Sequence, residues 1–184
     1  MGNLYVVLLH EGMLNKKSEI VTTSLTLIDV HDIARSSRTY GVKTLFIAHP
    51  SEALRNLGRT LKKHWEDGYG ATYNPDRKEA LSIVEIVGSL DDAINKITQT
   101  ESERPIILAT DGRAGEGRIA FSQVRDLIKS DKKPYLLVLG TGWGMCPELI
   151  NRCDLFIEPI IGPSDYNHLS VRSAAAVLLD RLVC

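Results

Sequence analysis

The chain has 184 residues, of which 43% are hydrophobic and 24% charged, and its formal net charge is −1. This globular composition excludes a disordered or collagen-like chain, and the charge excludes a protein that is basic throughout. Any nucleic-acid surface must therefore be a local patch.

Strand-like and helix-like segments alternate along the chain. Six short apolar runs predict strands: Leu4–Leu9, Thr44–Ala48, Ser82–Val87, Pro105–Ala109, Pro134–Leu139 and Leu155–Ile157. Four periodic segments predict helices: Ser51–Trp65, a helix capped by Ser89 that runs through Ile97, one from Phe121 to Ile128, and Ser170–Leu182. Most of the strands lack the alternation of apolar and polar residues that is typical of strands with one exposed face. We therefore predict an α/β fold with a mostly parallel sheet of about six strands, helices on both faces, and one domain over residues 1–184.

The connections carry two further signals. The polar stretch Asp67–Lys78 predicts a loop, because it is rich in Gly, Asn and Pro. The N-terminal apolar run lacks the basic start and cleavage site of a signal peptide, and no run reaches the ~18 apolar residues of a membrane span. We expect no membrane association.

Two predicted strands lead directly into glycine-rich turns. The strand that ends at Thr110 is followed by residues 111–118, and the strand that ends at Leu139 by Gly140–Gly144. Ligands of open α/β sheets bind beyond the carboxyl ends of the strands, and glycine allows close approach to the backbone. Together the two turns would form one cleft. Alternatively, the first is an ordinary loop and the second a tight strand-to-helix connection.

Cysteine and histidine usage argues against a metal centre. Three cysteines without a Cys-x2-Cys pair favour a reducing cytoplasm over a disulfide framework. The five histidines show no ligand spacing, so we predict no metal.

A Rossmann-type nucleotide enzyme is one interpretation of Gly140–Gly144. Such a methyltransferase also requires an acidic residue at the end of the next strand, where Glu158 lies. The spacing differs from G-x-G-x-x-G, however, and only 40 residues follow Gly144.

Three segments in order resemble the SPOUT class of S-adenosylmethionine-dependent RNA methyltransferases. They are residues 29–41 (DVHDIARSSRTYG), 139–144 (LGTGWG) and 160–176 (IIGPSDYNHLSVRSAAA). Arg35 falls on the motif arginine, Gly41 on the motif glycine, and the third segment resembles the start of the final helix. The most similar members are a small stand-alone bacterial group that also occurs fused to tRNA guanine-N1-methyltransferases.

The resemblance implies a C-terminal trefoil knot and a homodimer with active sites at the subunit interface. It also implies that backbone groups hold the adenine of S-adenosylmethionine in an apolar slot. The implied cofactor residues are Thr110, Leu139, Gly140, Thr141, Gly142, Gly144, Ile160, Ile161, Gly162, His168, Leu169, Val171 and Ala174.

Three residues are candidates for catalysis. Arg35 would clamp a phosphate or steer the acceptor, Asp32 would accept a proton or orient Arg35, and Tyr166 would meet the acceptor base. The alternatives are a surface pair between Arg35 and Asp32, and a solvated loop at Tyr166.

RNA contact requires basic side chains, and six are candidates: Arg38, Arg55, Arg59, Lys62, Lys63 and Arg172. Their alternatives are a solvated face and, for Arg172, a salt bridge.

We predict an RNA methyltransferase, with tRNA as the favoured substrate. A ribose 2′-hydroxyl is the weakly favoured acceptor over a base, because the Arg35 motif matches best there. A non-catalytic module that binds S-adenosylmethionine or a nucleotide remains the alternative.

Overall fold

The computed structural model describes residues 3–112 and 117–184, so residues 113–116 of the first glycine-rich turn lie outside the described residues. The strands are β1 (Asn3–Leu9), β2 (Met13–Leu14), β3 (Ile20–Val21), β4 (Leu45–Ala48), β5 (Val84–Val87), β6 (Ile106–Ala109), β7 (Pro134–Leu139) and β8 (Leu155–Phe156). Six of them form one parallel sheet in the order β5-β4-β1-β7-β6-β8, and β2 pairs with β3 as a short antiparallel hairpin. The predicted six-stranded parallel sheet is confirmed.

The helices are α1 (Leu27–Thr39), α2 (Glu52–Glu66), α3 (Tyr69–Tyr73), α4 (Pro75–Ser82), α5 (Leu90–Glu101), α6 (Phe121–Ser130), α7 (Pro147–Ile150) and α8 (Val171–Val183). The predicted Ser89 cap is present, and the last helix is also capped by a serine. The Ser89 hydroxyl accepts a hydrogen bond from the Asp92 N–H, and the Ser170 hydroxyl accepts one from the Ser173 N–H. Each such cap stabilises a helix by about 1 kcal/mol.

The strands separate two apolar layers, which explains why they lack alternation. Alternate residues of β1 point to opposite faces: Leu8 joins the layer packed under α1, α6 and α8, while Val7 joins the layer under α5. Both faces are therefore covered, as in other parallel sheets.

One local prediction is wrong. Asp67–Lys78 is not a loop, since it contains α3 and the start of α4. The Asn74 side chain accepts a hydrogen bond from the Arg77 N–H, with proline at the first position of α4, so Asn-Pro here begins a helix. On α2, Leu57 is exposed and Gly58 faces the sheet instead, where an added Cβ would lie 3.0 Å from Ile86.

Within the described ranges, no helix combines the length and apolar character needed to cross a bilayer. The same residues contain no group of three or more His, Cys, Asp or Glu side chains placed to hold a metal ion.

Candidate functional site

The glycine turn after β7 is held against the β2–β3 hairpin. The Trp143 N–H donates to the Leu14 carbonyl over 3.0 Å, and the Leu14 N–H donates to the Gly144 carbonyl over 2.8 Å. Gly142 has a φ of +62°, and a Cβ there would lie 2.9 Å from the Leu14 oxygen. A Cβ at Gly140 would lie 2.8 Å from Met145. These glycines are needed for contact with the protein itself, a reason that the sequence did not reveal.

A hydroxyl pair ties the same turn to the hairpin. The Thr141 hydroxyl lies 2.5 Å from that of Thr23 and donates to the Leu9 carbonyl over 3.2 Å. The ends of β1 and β7 and the segment after β3 are therefore connected. The Thr141 side chain is engaged by the protein, so the backbone is the part that this residue can offer to a ligand.

Two buried histidines support the hairpin from the other side. His10 and His49 follow β1 and β4, with ring centroids 5.2 Å apart. A ring nitrogen of His49 lies 3.0 Å from the Thr23 carbonyl oxygen, and one of His10 lies 3.2 Å from that of Ala48. Burial lowers the pKa of His10, with the His49 charge adding to the effect. His10 is thus neutral near pH 7.

The loop that follows β8 is open, in contrast to the glycine turn. All residues from Ile161 to Ser170 are exposed, and a Cβ added at Gly162 would meet nothing within 4 Å. Among the described residues, the N–H groups between Ile160 and Leu169 have no hydrogen-bond acceptor. Backbone donors here are thus available to a ligand.

Two contacts, Asn167 with Gly112 and His168 with Trp143, bring this open loop over the ends of the neighbouring strands. The Asn167 amide donates to the Gly112 carbonyl over 3.1 Å, beyond β6. The His168 ring lies 6.2 Å from that of Trp143 in an edge-on arrangement and 6.3 Å from that of Tyr166. Loops after β6, β7 and β8 therefore converge on one rim.

The rim has the chemistry of a purine site. Ile161 is 70% exposed and Leu169 is 48% exposed, beside unpartnered backbone N–H groups. An apolar slot with a few backbone hydrogen-bonding groups suits an adenine ring. The donor set therefore fits S-adenosylmethionine.

The candidate cofactor residues divide into two sets. Eight lie on the turn or rim just described: Gly140, Thr141, Gly142, Gly144, Ile161, Gly162, His168 and Leu169. The other five are less exposed: Thr110 donates to the Glu158 carbonyl over 3.3 Å, Leu139 is buried at the end of β7, Ile160 and Val171 pack against the core, and Ala174 is half-buried on α8. These five would contribute backbone atoms or the floor of the slot.

The predicted catalytic helix contacts the start of α8. The Arg172 guanidinium lies 3.0 Å from the Asp29 carboxylate and 3.5 Å from that of Asp32. This is the salt bridge that the sequence offered as the alternative for Arg172. Asp29 was not among the predicted site residues, and the two partners are 143 positions apart.

Arg35 is exposed on α1, about 5 Å along the helix axis from Asp32. Within the described part of the chain, its guanidinium makes no hydrogen bond or ion pair. Asp32 contacts Arg172 instead, so the alternative for Arg35, a surface pair with Asp32, does not form. Tyr166 is 78% exposed on the open loop.

Most of the remaining RNA candidates already have protein partners. Arg38 donates to Glu79 over 2.9 Å, Arg55 to the His49 and Pro50 carbonyls, Arg59 to Asn56, and Lys62 to the Val84 carbonyl. Lys63 is exposed and has no ion-pair partner among the described residues. A groove of about 530 Å³ between α2 and α5 is lined by Arg55 and Arg59.

Glu158 does not act as a ribose clamp. Its carboxylate accepts a hydrogen bond from the Phe121 N–H over 3.0 Å and thus caps the start of α6. The Rossmann-type interpretation, which required a free acid at this position, is not supported.

A family model described as an SAM-dependent RNA methyltransferase matches residues 3–184. A tRNA (guanine-N(1)-)-methyltransferase of Oleidesulfovibrio alaskensis is 42% identical over 181 residues, which are 98% of this chain and 42% of that protein. An uncharacterized protein of Aquifex aeolicus is 37% identical over 180 residues, 98% of this chain and 88% of that protein. The chain therefore spans less than half the length of the named methyltransferase.

Solved structures share the fold at low identity. A putative methylase family protein from Neisseria gonorrhoeae has a TM-score of 0.65 at 19% identity, covering 99% of this chain and 82% of that chain. The SpoU methyltransferase AviRb from Streptomyces viridochromogenes, in complex with AdoMet (S-adenosylmethionine), has a TM-score of 0.55 at 15% identity, covering 100% of this chain and 59% of that chain. The recognition of the SPOUT class is confirmed, and the chain belongs to the family of SAM-dependent RNA methyltransferases.

Proposed function

We propose that this chain transfers a methyl group from S-adenosylmethionine to a nucleotide of tRNA. The observation that carries the proposal is the family match over residues 3–184. The convergent rim after β6, β7 and β8 supports it, because free backbone donors stand beside exposed apolar side chains there. The name of the Oleidesulfovibrio relative supports tRNA as the substrate class.

The chemistry divides between the cofactor and the chain. S-adenosylmethionine, when bound, supplies an activated methyl group. The backbone N–H groups of the rim would hold the purine, and the exposed side chains of Ile161 and Leu169 would pack against it. Residues of α1 would position the acceptor nucleotide, which lowers the entropic cost of reaction.

Arg35 is the proposed centre of substrate handling. A guanidinium stays protonated, so Arg35 clamps an RNA phosphate beside the acceptor rather than removing a proton. Its lack of an ion pair in the described chain supports this role, because the charge needs no rearrangement before it meets the phosphate. Asp32 orients the helix through Arg172, and Tyr166 contacts the acceptor base.

A homodimer completes the site in this proposal. Trp143, Ile161, Tyr166 and Leu169 expose large apolar surfaces around one rim, and such patches mark interfaces. We also propose the C-terminal knot, a single domain over residues 1–184, and a reducing cytoplasmic setting.

The preference for a ribose hydroxyl conflicts with the names of the relatives, which specify guanine N1. That preference rested on the Arg35 motif alone. The acceptor atom is therefore a matter for direct measurement. The chain matches only 42% of the length of each of those relatives, so the activity in their names belongs to a protein more than twice as long.

The test combines cofactor binding with nucleoside analysis. The chain is titrated with S-adenosylmethionine in a calorimeter, with NAD and ATP as controls. It is then incubated with tRNA and the labelled cofactor, and the digested nucleosides are identified by mass spectrometry. We expect selective binding and one new methylated nucleoside, whose mass spectrum assigns ribose or base. Binding without any methylated product would establish the non-catalytic module instead, and no binding at millimolar cofactor would contradict both.

A further inference from the structure

Two exposed tyrosines form a stacked pair on the short helix α3. The rings of Tyr69 and Tyr73 are inclined by 25°, with centroids 6.0 Å apart. Tyr69 is 76% exposed and Tyr73 is 72% exposed. They lie one helical turn apart, so the pair presents aromatic surface to solvent rather than to the core. No role in the fold accounts for two such rings.

The helix that carries the pair packs against the side chain of Trp65. Gly70, between the two tyrosines, packs so closely on Trp65 that an added Cβ would lie 2.6 Å from the indole ring. The Arg77 guanidinium lies 4.6 Å from the same indole, and the His64 ring meets it edge-on at 5.2 Å. The backbone of the short helix α3 is thereby packed against the end of α2, so the helix that carries the two tyrosines is positioned before any ligand binds.

Trp65 also connects the tyrosine pair to the helix that carries Arg35. The ring of His31 on α1 lies edge-on to Trp65, at 5.6 Å. Arg35 follows His31 by four positions, so both lie on one face of α1. Trp65 thus has the tyrosine helix on one side and the proposed phosphate-binding helix on the other.

We propose that Tyr69 and Tyr73 stack on bases of a single-stranded RNA segment that flanks the methylated nucleotide. The inference rests on the proposed function. Exposed rings that accept base stacking, close to cationic side chains, are typical of proteins that bind single strands. The last turn of α2, which leads into α3, supplies such charge through Lys63, which is exposed and has no ion-pair partner among the described residues.

The test measures RNA affinity of the full chain by fluorescence anisotropy, with a labelled tRNA stem-loop and with a fully paired duplex. Three double variants are compared: Tyr69→Ala/Tyr73→Ala, Tyr69→Leu/Tyr73→Leu and Tyr69→Phe/Tyr73→Phe. We expect the Ala and Leu pairs to weaken stem-loop binding about tenfold or more, because a stacked base contributes roughly 1–3 kcal/mol. The Phe pair should bind within about twofold of the wild type, and duplex binding should change little in all three.

Three results would overturn the inference: unchanged affinity in the Ala pair, wild-type affinity in the Leu pair, or a change in oligomeric state in sedimentation that tracks the loss of binding. The last would assign the rings to a protein interface. Calorimetry with S-adenosylmethionine separates this result from a failure of the proposed function. A wild type that binds no cofactor and methylates no tRNA contradicts the proposed function. An active wild type whose Ala double variant is fully active contradicts only the proposal that the two tyrosines stack on RNA bases.

Discussion

The glycine turn after β7 and the loop after β8 border the same rim, yet they are built in opposite ways. The turn forms two backbone hydrogen bonds with Leu14 and has no room for a side chain at Gly142. The loop leaves its backbone N–H groups without acceptors in the described chain and has open space at Gly162. One side of the rim is therefore fixed by contacts with the protein itself, while the other leaves its backbone N–H groups and Gly162 open to the proposed ligand.

The largest expected effect follows from a side chain in the closely packed turn. Gly142→Val places a β-branched residue at a φ of +62°, with its Cβ 2.9 Å from the Leu14 oxygen. We expect the free energy of unfolding to fall by about 2–4 kcal/mol, from backbone strain and overpacking. Urea titration measures it. The matched control is Gly162→Ala, which should change stability by less than about 0.5 kcal/mol. Equal losses at both glycines would remove the distinction between the two regions.

The next largest effect is expected on the methylation rate, at Arg35 on α1, which lies outside both the glycine turn and the open loop. Arg35→Ala removes the proposed phosphate clamp and should lower the methylation rate about 100-fold, the usual size for loss of a charged transition-state contact. Cofactor affinity should stay within about twofold, since Arg35 is not on the rim. Single-turnover kinetics and calorimetry give the two values. Arg35→Lys separates the charge from the planar fork. Equal loss of rate and cofactor affinity would assign Arg35 a structural role.

A smaller effect is expected at the anchor of the open loop. Asn167→Ala removes the hydrogen bond to the Gly112 carbonyl, so the loop must be ordered at the expense of binding energy. We expect cofactor affinity to fall about 3- to 10-fold, with the urea midpoint unchanged. Asn95→Ala, on α5 and away from the rim, serves as the control. A lower urea midpoint in Asn167→Ala would show that the loop contributes to the fold itself.

The smallest effect concerns pH and the closely packed side of the slot. The pKa of His10 is lowered by burial, so the unfolded chain takes up a proton before the folded one as the pH falls. Stability is therefore full above about pH 6.5, the ordinary histidine value, and declines as the pH falls toward the lowered pKa of His10. Urea titrations between about pH 5 and 8 should show this slope, which His10→Asn should flatten. His64→Asn, an exposed control, should keep it.

Regular elements were predictable because their signals are local. The apolar runs predicted all six sheet strands to within about two residues, and the Ser89 cap marked the start of α5. The β2–β3 hairpin has only two residues per strand, too few for any periodicity. Its docking on the glycine turn is a long-range contact without a local pattern, so the sequence indicates a ligand or a tight connection at these glycines and not a contact with Leu14.

The site was predictable in part, for a similar reason. The resemblance carried the glycine turn and the open loop, whose residues lie together on the rim. It did not include ion pairs between distant segments, because the contact between Asp29 and Arg172 has no local sequence pattern. Asn167 and Thr23 were also missed, since an amide or a hydroxyl gains its role only from what the fold brings beside it.

The clamp of Arg172 on Asp29 and Asp32 has a mechanical consequence. It joins the first turn of α8 to the first two turns of α1, and the hydrogen bond from Tyr40 to Asp180 joins the same two helices at their far ends. The two helices are therefore linked at both ends. We expect a displacement of α1 to shift Ser170, the residue at which the open loop ends.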